Sequence, residues 1–222
     1  MRRSGALVTA CAALALSGCT GLFHSNAIPE QTYLLRAPAP PAVAAPAAPP
    51  GAALASPAGL PPIRVLQPDA DPGLNSSRII LVQADHRLNF YAGSRWPGPV
   101  SELIEALAVE TLRASGGWQS VQDADSPFPS DYLLRITVRR FEADYTGGGP
   151  APEVHVLLDC VVGQREGREV LASFIAQGTA TAAADRMSAV VAAFEQATDE
   201  ALSSLAQQSH TAVAAAAATA GR

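Results

Sequence analysis

Two periods of apolar residues run through this chain, and each predicts a different element. From Tyr132 the period is two: Tyr132, Leu134, Ile136 and Val138 fall on one side, with Arg135, Thr137 and Arg139 on the other. Successive side chains of a strand point to opposite faces of its sheet, so this stretch reads as a half-buried strand. Phe141, Ala143 and Tyr145 continue on the opposite parity, which predicts a bulge or sharp twist near Arg140. Val154, Val156, Leu158, Cys160 and Val162 alternate again, and Val170, Ala172, Phe174 and Ala176 follow after the loop 164–168, which contains Gly167. With the glycine turn at 147–150, these segments predict three long strands in one antiparallel meander with a buried face.

The other period is helical. Val100, Leu103, Ile104, Leu107 and Thr111 or Leu112 share one face of a segment that opens at Pro99 and stops at Gly116-Gly117. Glu102 and Glu105 stand at its electropositive start. A second helix is expected from Asp185, with Met187, Val190, Val191, Phe194, Ala197 or Thr198, Ala201 and Leu205 in a stripe and Glu195, Gln196, Asp199 and Ser203 opposite. The chain is nearly all Ala and Thr from His210, and residues 210–222 are expected to be a disordered tail.

Shorter strands are expected at 78–83, at 88–91 and around Trp118-Gln119-Ser120-Val121. Two helices with one apolar face each and some six strands predict an α+β fold: a mostly antiparallel sheet with both amphipathic helices on one face. The body is expected to span residues 63–209. Residues 37–62, almost entirely Ala and Pro, read as an extended, solvated linker or loop. Thr32-Tyr33-Leu34-Leu35-Arg36, within residues 19–36, is a candidate first strand.

The start of the chain changes how all of this is placed. Arg2 and Arg3 precede an apolar run of about 11 residues, the length of a signal-peptide core and too short to span a bilayer as a mature helix. It ends in Leu16-Ser17-Gly18-Cys19, which resembles a bacterial lipobox. That resemblance implies that residues 1–18 are a signal removed by cleavage, and that Cys19 is acylated. The remaining chain would then be a periplasmic domain held to a membrane by lipid, and Thr20, which is not Asp, points to the outer membrane.

Charge and cysteine content narrow the function. Formal net charge is −5, and −7 once Arg2 and Arg3 are removed, which argues against nucleic acid as a partner. With Cys11 in the signal and Cys19 acylated, Cys160 has no partner for an intramolecular disulfide and reads as a buried strand residue. His24, His86, His155 and His210 are scattered, without Cys or carboxylates at metal-ligand spacing. No Gly-x-Ser-x-Gly elbow occurs, and the glycine run at 147–149 lacks the Lys and Ser/Thr of a phosphate loop. No catalytic residue, metal or cofactor is predicted. Arg95 and Trp96, where a strand meets Pro97-Gly98-Pro99, are the candidate partner contact, with Trp96 as a core plug the competing reading.

Several of these pieces, in this order, resemble the auxiliary lipoprotein family of ABC-type transporters, which includes the paraquat-inducible protein C-like lipoproteins. They are Thr32-Tyr33-Leu34-Leu35, Pro72-Gly73-Leu74 before Arg78-Ile79-Ile80-Leu81-Val82, Leu88-Asn89-Phe90-Tyr91 followed by Arg95-Trp96, Asp131-Tyr132-Leu133-Leu134 running to Arg140-Phe141-Glu142, and the closing amphipathic helix. The long Ala/Pro stretch after Tyr33 departs from the family pattern. The resemblance implies a non-enzymatic component of a system with a permease, an ATPase and a mammalian-cell-entry (MCE) domain protein. Such a system moves lipids or other apolar molecules between inner and outer membranes, and the resemblance also implies assembly into a homo-oligomeric ring. A scaffold for outer-membrane assembly and a lipid-anchored periplasmic hydrolase are the competing classes.

Overall fold

The computed structural model describes residues 29–37 and 59–220. Its elements are β1 (Gln31–Thr32), β2 (Ile63–Val65), β3 (Asp69–Ala70), β4 (Arg78–Val82), β5 (Leu88–Arg95), α1 (Val100–Ala114), β6 (Val121–Gln122), β7 (Tyr132–Asp144), β8 (Glu153–Gln164), β9 (Val170–Thr181) and α2 (Met187–Ala220). Gln31 onward forms one compact unit, and the description that follows is of that unit.

The expected meander is present. β7 pairs antiparallel with β8 from Tyr132 opposite Gln164 to Asp144 opposite Glu153, and β8 pairs antiparallel with β9. The register shifts between Val138 and Arg140, where the parity of the sequence switches. A bulge there lets Val138 and Phe141 both face the core, which unbroken alternation would forbid. Along its other side β7 takes three short parallel partners in turn: β2 at its start, β3 at Thr137 and Val138, and β4 at Ala143 and Asp144. β5 pairs antiparallel with β4, β1 lies parallel beside β5, and β6 lies parallel beside β2. The result is a mixed nine-stranded sheet whose long pairings are antiparallel.

Both helices cover the face that carries Leu134, Ile136, Val138, Val156, Leu158 and Val162, and they touch each other. Leu103 and Leu107 of α1 are buried there, as their spacing requires. Gly116, at φ +67, ends the helix in a conformation that costs glycine little. β9 presents only small side chains to α2 at Ala176, Gly178 and Ala180, so the helix approaches closely: a Cβ on Gly178 would lie 2.0 Å from the Ala197 carbonyl oxygen.

Three boundaries differ from expectation. Residues 210–220 are helical, with Val213 buried and the His210 ring edge-on to Trp118 at 6.1 Å. Alanine is the strongest helix former, so an alanine run prolongs a helix already anchored by packing. The candidate first strand is shorter and starts earlier: Gln31 and Thr32 pair with β5, Tyr33 still donates its N–H to the Arg95 carbonyl, and Leu35 is buried in the core. Residues 37–62 join two strands of one sheet, β1 and β2, and their last residues already belong to the fold: Leu60 bridges Trp118, and the Pro62 carbonyl accepts from Asp131 and Tyr132. Residues 38–58, the bulk of that stretch, lie outside the described residues.

At the junction of β5 and α1, Trp96 is fully buried against Phe141 of β7 and Phe194 of α2, with ring centroids 5.9 and 5.2 Å away in edge-on geometry. Phe141 and Phe194 are themselves 5.1 Å apart. Edge-on aromatic contacts add to the area term, so this trio ties the sheet to α2 at the point where α1 starts. Trp96→Ala should cost about 3–5 kcal/mol and lower the thermal unfolding midpoint by roughly 10 °C; a melting curve shifted by less than about 2 °C contradicts the packing described. Gly178→Ala should cost about 3 kcal/mol, the upper end for overpacking, because the atom in the way is backbone. Urea unfolding of that variant checks the close approach of α2 to β9.

Candidate functional site

Two neighbouring segments hold the Arg95–Trp96 junction. The residue before β4 is Ser77, whose carbonyl accepts from the Trp96 backbone N–H at 2.7 Å and whose hydroxyl accepts from Arg95 Nη2 at 3.2 Å. The segment after β1 brings Tyr33, whose N–H donates to the Arg95 carbonyl at 2.8 Å. Trp96 turns inward and has no exposed surface. A direct partner contact by its side chain therefore has no surface to work from, and its aromatic area is spent in the core. Arg95 remains half-exposed. The other sequence-derived site residue, Cys19, lies outside the described residues.

Several titratable side chains are engaged in holding the fold. His86 sits at φ +63 at the tip of the β4–β5 turn, beside the Asp85–Arg87 ion pair at 2.6 Å. His155 stands on the open face of the sheet, 3.4 Å from Glu153 and 3.9 Å from Asp144. Arg140 donates to Glu142 at 2.5 Å and to Asp144 at 3.0 Å on the same face. Burial, helped by the charge of Asp159, pushes the Cys160 thiol up to about 12, so it stays protonated and is a poor nucleophile. Among the described residues no group of three or more His, Cys, Asp or Glu is placed to hold a metal ion.

A polar chain that the sequence did not single out links three segments. Tyr145 donates to Asp185 Oδ1 at 2.6 Å, which leaves its oxygen to accept from Tyr91 at 2.9 Å. Burial first, and then the hydrogen bond to Tyr145, raises the Tyr91 hydroxyl; burial and Asp185 raise that of Tyr145. Both phenols stay neutral donors, and the chain fixes the segment leading into α2 against the middle of β5 and the end of β7.

Two polar concavities among the described residues flank α1 on its solvent side. One groove of about 610 Å³ is lined by Glu102, Glu105, Glu110, Arg113 and Asp123; a second of about 550 Å³ continues from Arg113 and Asp123 to Asp125 and Phe128. Arg113 spends its Nε and Nη2 on the Val121 carbonyl at 3.1 and 2.9 Å. Phe128 is 68 % exposed on a loop whose carbonyls are pinned from below: Arg64 donates to Phe128 O and Gln122 Nε2 to Pro129 O at 2.9 Å. Arg64 also donates to Gln122 Oε1 at 3.0 Å, joining the two pins. The signal for this loop was present in Ser126-Pro127-Phe128-Pro129, an aromatic between two prolines.

A known protein shares this architecture. A Xanthomonas campestris protein of the DUF330 family superposes with a TM-score of 0.66 at 23 % identity, covering 87 % of this chain and 99 % of its own. The PelC dodecamer of Paraburkholderia phytofirmans is a more distant likeness, with a TM-score of 0.40, 18 % identity and coverage of 68 % and 93 %. No curated protein matches the chain. No helix among the described residues is long and apolar enough to cross a membrane. The family model for the ABC-type transport auxiliary lipoprotein component matches residues 33–208, nearly the whole described fold, and the chain belongs to that family of transport lipoproteins.

Proposed function

We propose that this chain is a non-enzymatic component of an MCE-type ABC transport system that moves lipids or other apolar molecules between inner and outer membranes. Residues 1–18 are the signal, Cys19 carries the acyl groups, and the domain is held at the periplasmic face of the outer membrane. The observation that carries the reading is the family match over residues 33–208, joined to a lipobox at the start of the same chain. The described side-chain chemistry is in keeping with it: His86 sits in a turn, His155 beside Glu153, His210 against Trp118 and Cys160 in the core. Partners are the MCE-domain protein and the ABC components, and self-association into a ring is part of the proposal.

Because β1 belongs to the sheet, residues 20–30 alone join Cys19 to the fold. At ~3.3–3.6 Å per residue they reach at most about 40 Å. The domain is therefore held close to its membrane, and a partner anchored elsewhere must come to it.

Cys19→Ser should release the protein from membranes or leave it unprocessed, as read by fractionation and intact mass. Wild-type protein found only in inner-membrane fractions overturns the outer-membrane placement. Solubilised wild-type protein should co-purify with the MCE-domain subunit of its own transporter. Co-purification with an outer-membrane assembly machine in its place would make it a scaffold.

A further inference from the structure

We propose that the Phe128 loop and the acidic grooves beside it form a docking surface for a cationic protein segment that offers an apolar pocket, contributed by a periplasmic subunit of the transporter. The inference rests on the transport reading above and names the contact that reading needs.

The first observation is how Phe128 is presented. It is the most exposed large apolar side chain among the described residues, at 68 %, while the backbone beneath it is held by Pro127, Pro129 and the Arg64–Gln122 pair. Gln122 is itself buried. An aromatic on a backbone already ordered loses little further freedom on binding, which is how a single side chain becomes an anchor.

The second observation is charge. Glu102, Glu105, Glu110, Asp123 and Asp125 line the two grooves, and none of these five forms an ion pair among the described residues. Arg113 is the cation of the lining, and two of its nitrogens are committed to the Val121 carbonyl. The field at the rim is negative and selects a partner rich in Lys or Arg. The same field disfavours an anionic bilayer as the occupant of Phe128.

The third observation is topology. The loop leads into Tyr132, the first residue of β7. β1 lies beside Ser94 and Arg95, Arg95 faces Arg78, and β4 reaches β7 only at Ala143. The lipid tether therefore enters level with the far half of β7, roughly 30 Å along the strand direction from the Phe128 loop at ~3.3 Å per residue. The Phe128 loop thus lies at the end of the sheet away from β1, clear of the segment that enters there.

The test uses the full-length acylated protein in detergent and the purified periplasmic region of the cognate MCE-domain subunit, with affinity measured by biolayer interferometry. Phe128→Ser should weaken binding at least ~30-fold, the hot-spot threshold expressed as affinity, with an unchanged thermal midpoint because the ring is outside the core. Ile175→Ser, removing a side chain 54 % exposed on β9, should stay within about threefold of wild type. Glu110→Arg with Asp125→Arg should weaken binding further and flatten its dependence on salt. Wild-type-like affinity in Phe128→Ser, with the wild type binding well, overturns the docking surface and leaves the transport reading intact. Absence of binding by the wild type overturns both. A loss in Phe128→Ser confined to self-association in sedimentation velocity, or to binding of phosphatidylethanolamine–phosphatidylglycerol vesicles, also overturns the proposal by giving the ring another occupant.

Discussion

The contact of Trp96, edge-on to both Phe141 and Phe194, is the constraint on which the other elements depend. Each ring comes from a segment whose direction it fixes: the end of β5, the second half of β7 and the first turns of α2. Phe141 reaches the cluster only because the bulge between Val138 and Arg140 turns it inward. Without that shift, Phe141 would face the open side of the sheet and Arg140 the core, where an unpaired guanidinium is costly. The bulge also leaves Arg140, Glu142 and Asp144 together on the open face, where they pair with one another. One irregularity thus assigns the aromatic residues to the inside and the charges to the outside over the whole second half of the strand.

That irregularity was legible in the sequence, as were the meander and both helices, because each imposes a period over many residues. Tyr132 to Val138 and Val154 to Val162 repeat a binary pattern long enough to exclude chance, and Val100 to Leu112 repeats the helical one. The parallel partners of β7 were not legible as such. β2, β3 and β4 are three, two and five residues long, and nothing local in Ile63-Arg64-Val65 states that its partner starts at Tyr132. Their pairing joins segments far apart in the chain, a property of the assembled sheet. The helical end of α2 was misjudged for a related reason: composition marks an alanine run as having little to bury, whereas propensity marks it as easily continued once Val213 is seated.

The candidate site divides in the same way. The sequence marked Trp96 for its residue type and its place at a strand end, and type alone cannot tell an interface anchor from a core plug, since both functions want a large, stiff side chain. Burial against two phenylalanines decides it. Phe128 carried a readable local signal, an aromatic between prolines. The Arg64 and Gln122 side chains that stiffen its loop are 64 and 6 residues away, and only the parallel pairing of β2 with β6 brings them together. The tyrosine chain to Asp185 is likewise assembled from segments 54 and 40 residues apart.

How the chain enters the sheet decides where a load on it goes. Pairing β1 with the end of β5 places Gln31, the first residue of the compact unit, beside the Arg95–Trp96 junction, and that junction is locked by the aromatic trio and by Ser77. A pull on the chain at Gln31 is therefore transmitted to the core through a strand pair and not through residues 37–62, whose two ends are in the same sheet. That connection can vary in length at small entropic cost without moving β1 relative to β7, which accounts physically for a long Ala/Pro stretch in the middle of an otherwise regular fold.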